Sequence, residues 1–411
     1  MAHTRTARRQ LRRPASRPTA PPRALATVVA TAVIALATLA AYSNSMDGIF
    51  VFDDEPSIER NAHVAALPDV VAAMGAPNDS TLAGRPVASL SFALDYARSG
   101  GHSLAAYHAT NLAIHIASAL LLFGIVRRTL RSPRLADLFG PQATPLAASV
   151  ALLWALHPVQ TGSVTYIVQR VESLMGLFYL ATLYCAIRAS SASRAMPWIA
   201  GAVLACALGM GTKEVMVSAP LMVLLWDWIF ARDTLRSRRP LYCALACTWV
   251  ILGVLVAGGP RTFSVGFGFE GWPWWRYLLT QASVVTHYVR LVFWPSPLVL
   301  DYEWEPSTVA AAILPGLFVL ALVGATAWAV VRRMPSGFAA AWFFVILAPT
   351  SSVLPIVTEV AAEHRLYLPL AGVVALAVLG VAAFRLKPEA TNDPRGFRLQ
   401  PEVIALLAVA T

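Results

Sequence analysis

The chain has 411 residues, of which 57% are hydrophobic and only 13% charged. Soluble domains average roughly 45–50% apolar and about 25% charged, so composition excludes an ordinary cytosolic enzyme, a disordered chain and a disulfide-stapled one. In a soluble protein a net charge of +10 would raise nucleic acid as a partner; in a membrane protein it asks which side carries the positive charge.

Residues 1–23 hold seven arginines and no acid, and four prolines interrupt them. This stretch reads as a disordered, cytosolic basic arm that sets topology and meets anionic lipid head groups; no nucleic-acid motif accompanies it, and no nucleic-acid partner is expected. An apolar run over 25–42 follows. A signal peptide is the competing reading, but the run is long enough to span and reads as an uncleaved anchor. A bilayer core of ~30 Å needs about 20 helical residues. Nine further spans are predicted near 107–126, 145–160, 173–189, 197–212, 216–231, 241–257, 309–331, 337–354 and 366–384. A partial eleventh begins at Pro401 and stops at Thr411, too short to cross, so the chain reads as a fragment or as one without a C-terminal module. Cys185, Cys206, Cys243 and Cys247 lie in apolar segments without a paired spacing and read as small core residues.

The segment 277–295 decides the topology. If it crosses the membrane, every later loop changes sides. If it lies on the outer surface as an interfacial helix, the six basic segments (1–23, 127–144, 188–196, 232–240, 332–335, 385–400) share the inside, with 23 of the 32 Lys+Arg and 4 of the 22 acids. The positive-inside rule selects this second topology, and Trp272, Trp274, Trp275 and Arg290 suit an interfacial helix with aromatic anchors. The expected architecture is therefore all-α and polytopic. It has a cytosolic arm (1–23), a transmembrane domain (24–384) with ten spans and long outer loops at 44–106 and 258–308, and a cytosolic segment (385–411) that starts the partial helix.

The scarce charges crowd the outer face. The first outer loop opens Phe52-Asp53-Asp54-Glu55. Adjacent carboxylates past a membrane helix suit a general base within hydrogen-bond reach of a hydroxyl, or oxygen ligation of a divalent cation; the competing reading is a solvated acidic loop. Gln169-Arg170-Val171-Glu172 opens one helix, Lys213-Glu214 joins two others, and Glu363-His364-Arg365 precedes the last complete span. Cations at a lipid boundary suit a lipid phosphate; snorkelling, or intrahelical pairing of Arg170 with Glu172 and of Lys213 with Glu214, is the bland alternative. His108 and His115 sit at core spacing, His157 shapes a helix end, and Asp227, inside a span, is expected to cap its helix or meet Arg232.

Several stretches resemble the transmembrane and tetratricopeptide-repeat-containing (TMTC-like) glycosyltransferases and their bacterial relatives, within the GT-C class of polyprenyl-phosphate-sugar-dependent transferases. They are 50–64 (FVFDDEPSIERNAHV), 84–96 (GRPVASLSFALDY), 107–115 (YHATNLAIH), 157–184 (HPVQTGSVTYIVQRVESLMGLFYLATLY), 213–227 (KEVMVSAPLMVLLWD), 279–301 and 351–369 (SSVLPIVTEVAAEHRLYLP). Seven motifs in order, from about residue 44 to 372, are far more specific than any one. The resemblance implies a GT-C-like fold and transfer of a monosaccharide, typically mannose, from a polyprenyl or dolichyl phosphate to a Ser or Thr hydroxyl on the non-cytosolic face. Asp53 and Asp54 would supply the base, or hold a divalent cation if one is used; no cofactor is otherwise implied. Arg170, Lys213, His364 and Arg365 would bind the donor, supported by Glu55, Arg85, Gln169, Glu172, Glu214, Glu363 and Tyr367. Relatives often carry an acid where Gly162 and Ser163 follow Thr161, and another near Thr358. Partners would be the lipid-linked sugar, an acceptor protein or glycan, and membrane lipid. Alternatives are a glycan-directed transferase, a lipid-linked-sugar transporter or flippase, and a non-catalytic scaffold. The Arg- and Ala-rich composition suggests a bacterial inner membrane, with the site on its periplasmic face.

Overall fold

A computed structural model describes residues 23–259, 266, 272–351 and 355–386; the basic arm, most of the C-terminal segment with its partial helix, and parts of the 258–308 loop lie outside the described residues. The protein is an all-α membrane bundle. Its main helices are α1 (Arg23–Ala41), α2 (Pro86–Ser99), α3 (Leu104–Leu130), α4 (Ala143–Ala155), α5 (Arg170–Ala189), α6 (Met196–Met210), α7 (Ala219–Phe230), α8 (Arg239–Cys247), α9 (Trp249–Ala257), α10 (Trp274–Phe293), α11 (Val309–Val331), α12 (Pro335–Leu347) and α13 (Pro369–Arg385).

Among the described residues, six helical segments are long and apolar enough to cross a membrane: Ala24–Asp47, Leu104–Leu130, Ala136–Ala155, Ile167–Ala189, Arg239–Ala257 and Val309–Val331. Four of the ten expected spans are shorter. α6, α7, α12 and α13 have 15, 12, 13 and 17 residues. The reason lies at one end of the bundle. The apolar run into α7 starts as a 3-10 turn, Glu214–Ser218, and α13 is preceded by another, Glu363–Leu366, so the chain there leaves the α-helix to present polar side chains.

Long-range bonds sort the connections into two ends. Arg134 donates to the Ile229 carbonyl at 3.2 Å, Arg238 to the Ala186 carbonyl at 2.6 Å, and Arg333 lies 4.3 Å from the Trp228 ring, so the basic loops after α3, α5, α7 and α11 meet at one end. Asp227 pairs there with Arg238 at 2.7 Å and accepts from the Tyr242 hydroxyl at 2.6 Å. The expected partner was Arg232. The turn after α7 folds back and delivers Arg238 instead, while Arg232 packs over Trp228.

At the opposite end, α10 runs across the bundle. Its buried residues Tyr277, Thr280, Gln281, Val284, Val285, Tyr288, Leu291 and Val292 recur at helical spacing along one stripe. Its apolar side chains pack on α11 and α12, and its hydrogen bonds go to loops of this same end: Tyr277 to the Thr350 carbonyl, Gln281 to that of Val360, Tyr288 to the Ala362 amide, and the Val292 carbonyl to His157. A helix crossing the membrane would meet one end at its start and the other at its finish. A cysteine at Glu303, an exposed position in the loop after α10, should react with an impermeant maleimide from the side opposite the basic loops, in a background without the native cysteines; labelling from the basic side would overturn this arrangement.

The first outer loop is not extended coil. Ile58, Val64, Leu82, Phe92 and Tyr107 form a satellite core over Ile167, Val168 and Val171 at the start of α5. The main core unites α1 and α3–α7 with α13 around Trp154, Tyr179 and Tyr367, and Gly372 lets α13 lie against the Ala339 carbonyl of α12. All four cysteines are free. Cys206 is buried as expected, whereas Cys243 and Cys247 are exposed because they sit on the outward face of α8, where a lipid-facing helix tolerates small apolar side chains.

Candidate active site

The backbone turns sharply just before the acidic pair. Phe52 adopts φ +43, a left-handed conformation that costs a bulky residue roughly 1–3 kcal/mol. Asp54 holds that turn. It is fully buried; one carboxylate oxygen accepts from the Val51 amide at 3.0 Å and the other from the Val168 amide at 2.7 Å. Burial pushes its carboxyl up to about 6, against the opposing pull of these amides. Asp53, in contrast, is exposed. Its Oδ2 accepts from the Thr81 hydroxyl at 2.7 Å, and its amide donates to the Tyr166 hydroxyl at 2.9 Å. The adjacent carboxylates therefore do not converge on one point. One faces a cavity and the other is spent on two backbone amides. Among the described residues, no group of three or more His, Cys, Asp or Glu is set to hold a metal ion.

Asp53 opens on a cavity of about 360 Å³. Of the residues expected at the site, the cavity gathers Asp53, Arg85, Gln169, Lys213, Glu214, His364 and Arg365. It adds Asp79, Thr81, Tyr166, Asp301 and Glu359, which the sequence reading did not place in the site. Glu359 directly follows Thr358, where relatives often carry an acid; nothing in the local sequence of the others singles them out, because loop polar residues become informative only once the fold aims them.

The cations arrive already paired, and not with their sequence neighbours. Lys213 bonds Glu172 on α5 rather than Glu214. Arg85 takes Glu214 at 3.2 Å. Arg365 donates to the Thr350 carbonyl at 3.1 Å and to the Glu359 carbonyl, and faces the Glu359 carboxylate at 3.7 Å. His364 lies 3.6 Å from that carboxylate. Burial pushes Glu359 up, but His364, Arg365 and Lys213 more than reverse this and hold it well below the usual carboxylate range. No ion pair engages Asp53, Asp79 or Asp301 among the described residues.

Six expected site residues stand outside this cavity: Asp54, spent on the Val51 and Val168 amides, and five others. Arg170 is fully buried; it pairs with Asp95 at 2.8 Å and donates to Asn111 at 2.6 Å and to the Ser91 and Tyr107 carbonyls, with Phe92 stacked 4.1 Å away. Its expected partner Glu172 goes to Lys213 because successive positions on a helix diverge. Tyr367 bonds His115 at 2.9 Å in the core. Glu55 pairs with Arg60 on the surface at 3.0 Å. Glu363 accepts from the Val299 amide and, at 2.6 Å, from the Tyr302 hydroxyl, and borders a second cavity. Glu172 reaches the site only through Lys213.

Comparison with known proteins bears on this arrangement. The chain is 31% identical to protein O-mannosyl-transferase TMTC4 of Homo sapiens over 203 residues, which cover 44% of this chain and 27% of that protein. It is 28% identical to protein O-mannosyl-transferase Tmtc2 of Drosophila melanogaster over 327 residues, 72% of this chain and 33% of that protein. A third relative is TMTC2 of Mus musculus, 28% identical over 217 residues, 49% of this chain and 24% of that protein. Its curated relatives are TMTC-family protein O-mannosyl-transferases. By name these are glycosyltransferases, as the resemblance implied, and the TMTC-like chain spans about a quarter to a third of their length. No protein-family model and no solved structure matches it.

Proposed function

We propose that this TMTC-like chain is a membrane glycosyltransferase that moves a hexose, mannose as in the names of its relatives, from a polyprenyl or dolichyl phosphate to a Ser or Thr hydroxyl of a protein. The observation that carries this reading is the opening of Asp53 on one cavity with Lys213, Arg85 and Arg365, at the end of the bundle away from the basic loops. Asp53 takes the proton of the acceptor hydroxyl. The acceptor oxygen attacks the anomeric carbon from the face opposite the phosphate; the new C–O bond forms as the bond to the phosphate oxygen breaks, and the lipid phosphate leaves with the electron pair. Configuration at the anomeric carbon inverts. Lys213 spends one of its three N–H donors on Glu172 and turns the rest to the phosphate as a point charge, while Arg85 and Arg365 supply positive potential around it and the His364 imidazole stands at the donor's edge as a hydrogen-bonding group. The charge split and the Arg- and Ala-rich composition support an extracytoplasmic site on a bacterial inner membrane.

The test is transfer in vitro to a Ser/Thr peptide from a panel of polyprenyl-phosphate sugars, with and without a chelator. Transfer from at least one lipid-phosphate sugar, and none from nucleotide sugars, is expected. Absence of transfer from every lipid-linked donor would overturn the reading. Loss of activity with chelator alone would add a divalent cation to the donor phosphate.

A further inference from the structure

A second cavity of about 370 Å³ adjoins the first and shares Tyr166, Leu300 and His364 with it. That is within the range that holds small ligands, roughly 300–1,000 Å³. Its chemistry is different. No Arg or Lys lines it, whereas the cations Arg85, Lys213 and Arg365 all line the first. Its polar groups are hydroxyls, imidazoles and one carboxylate, set among the apolar side chains of Ile49, Val51 and Leu298.

Two of those groups have bonding capacity left over. His108 lines it at 2% exposure; both ring nitrogens are buried without a hydrogen-bond partner of normal geometry, Nε2 against the Gly48 backbone, so the imidazole offers its donor and acceptor to the cavity by turning away from that backbone. Buried polar atoms are seldom left so, and a neutral imidazole offers one donor and one acceptor. Glu363 receives both of its bonds, from Val299 and Tyr302, on the same oxygen, Oε1. Its Oε2 therefore keeps its acceptor sites among the described residues. A donor–acceptor imidazole and a carboxylate oxygen beside apolar walls, with no cation, match a neutral polyol ring, whose hydroxyls bond in both senses and whose C–H faces pack on apolar surface. They do not match a phosphate.

We propose that this second cavity seats a neutral hexose ring and presents it to the cation-lined cavity across Tyr166 and His364. The inference rests on the proposed function and deepens it. The lipid phosphate occupies the first cavity and the sugar the second, with the bond to be broken at their shared wall, where the Tyr166 hydroxyl is fixed by the Asp53 amide at 2.9 Å. The ring comes either from the donor or from a sugar already on a glycan acceptor. His108 is a binding residue in this arrangement, not a base.

Gly162 supplies the test. It lines the second cavity and not the first, and a Cβ added there meets no atom within 4 Å. Gly162→Leu should therefore fold normally while narrowing the seat. Dissociation constants would be measured for mannosyl-phosphoryl polyprenol and for sugar-free polyprenyl phosphate, on wild type, Gly162→Leu, His108→Phe and His108→Gln, with melting temperature as the check on folding. If the donor supplies the ring, Gly162→Leu and His108→Phe weaken the sugar-bearing lipid by about tenfold or more, the loss of one or two good hydrogen bonds. They leave the sugar-free lipid unchanged, and His108→Gln recovers part of the loss. If a glycan acceptor supplies it, the same variants raise the KM for a mannosylated acceptor and spare both lipids. Either result supports the hexose seat. Unchanged affinity for both lipids together with unchanged acceptor KM would overturn the seat while leaving the transferase reading intact. Wild-type protein that binds neither lipid would overturn the transferase reading itself.

Discussion

Asp53→Asn is expected to abolish sugar transfer with folding intact, and Asp54→Ala to cost stability. The neighbours differ in what holds them. The Asp53 side chain makes one recognised bond, accepted from Thr81, and Asn keeps an oxygen for it, so little structure is lost. The proposed base is lost outright, and a positioned general base contributes typically about 10²–10⁴-fold to rate. Turnover near wild type would remove Asp53 from catalysis. Asp54→Ala instead strands the Val51 and Val168 amides, at about 1–3 kcal/mol for each buried group left unpaired. The pH dependence carries its own sign. The folded-state value of about 6 lies above the ordinary 3.8, so the native state keeps its proton longer than the unfolded chain. Stability from this carboxyl is fully present below about pH 4, falls as pH rises through 6, and is constant above; the fall is of the order of 3 kcal/mol. Melting curves of wild type should show this decline between pH 4 and 6, and Asp54→Ala should lack it. An identical pH profile in the two proteins would refute the assignment.

Arg170→Met is expected to be the most destabilising single change at this end of the bundle. Its guanidinium joins Asp95 on α2, Asn111 and Tyr107 on α3 and Ser91 on α2 to the first turn of α5. Removing one partner of a buried ion pair typically costs about 3–5 kcal/mol, because the other charge stays behind. Arg170→Lys should rescue little, since a point charge cannot reach acceptors arranged for a planar fork. The check is thermal unfolding in detergent together with donor KM in whatever fraction folds. A normal melting temperature with a raised donor KM would instead make Arg170 a phosphate ligand.

The membrane helices were legible in the sequence because hydropathy is local and long apolar runs have few other uses. The expected placement of α10, which labelling at position 303 tests, rests on a global reason. Moving that helix reverses the side of every later arginine, so the positive-inside rule weighs it with Arg332, Arg333 and Arg385 at once. Helix lengths were less legible. The run 215–231 is apolar apart from Ser218 and Asp227, and nothing in its hydropathy marks that its first residues form a 3-10 turn. The site was half legible. Charge at an apolar boundary singled out Lys213, Arg365 and also Arg170, which the fold buries elsewhere, while Arg85 came from the resembling stretch 84–96; the partners lie 41 residues away for Lys213–Glu172 and 129 for Arg85–Glu214, beyond any periodicity. The two aspartates were indistinguishable as letters. Only the left-handed turn at Phe52 sends one to the cavity and the other to the backbone of Val168.

The pairing of the cavity cations, Lys213 and Arg85 across elements and Arg365 within its own loop, has a kinetic meaning. In the proposed reaction the phosphate takes the N–H donors that Lys213 does not spend on Glu172, and competes with Glu214 and Glu359 for those of Arg85 and Arg365. Such a pocket discriminates by exchange. A weakly charged or badly placed anion cannot repay the carboxylate it displaces, while a phosphate delivered by its lipid tail at high local concentration can. When the product departs, the carboxylates retake their donors and help to expel it. On the proposed mechanism, the acids that hold these cations at rest would also be the groups that close the site again once the leaving group has gone.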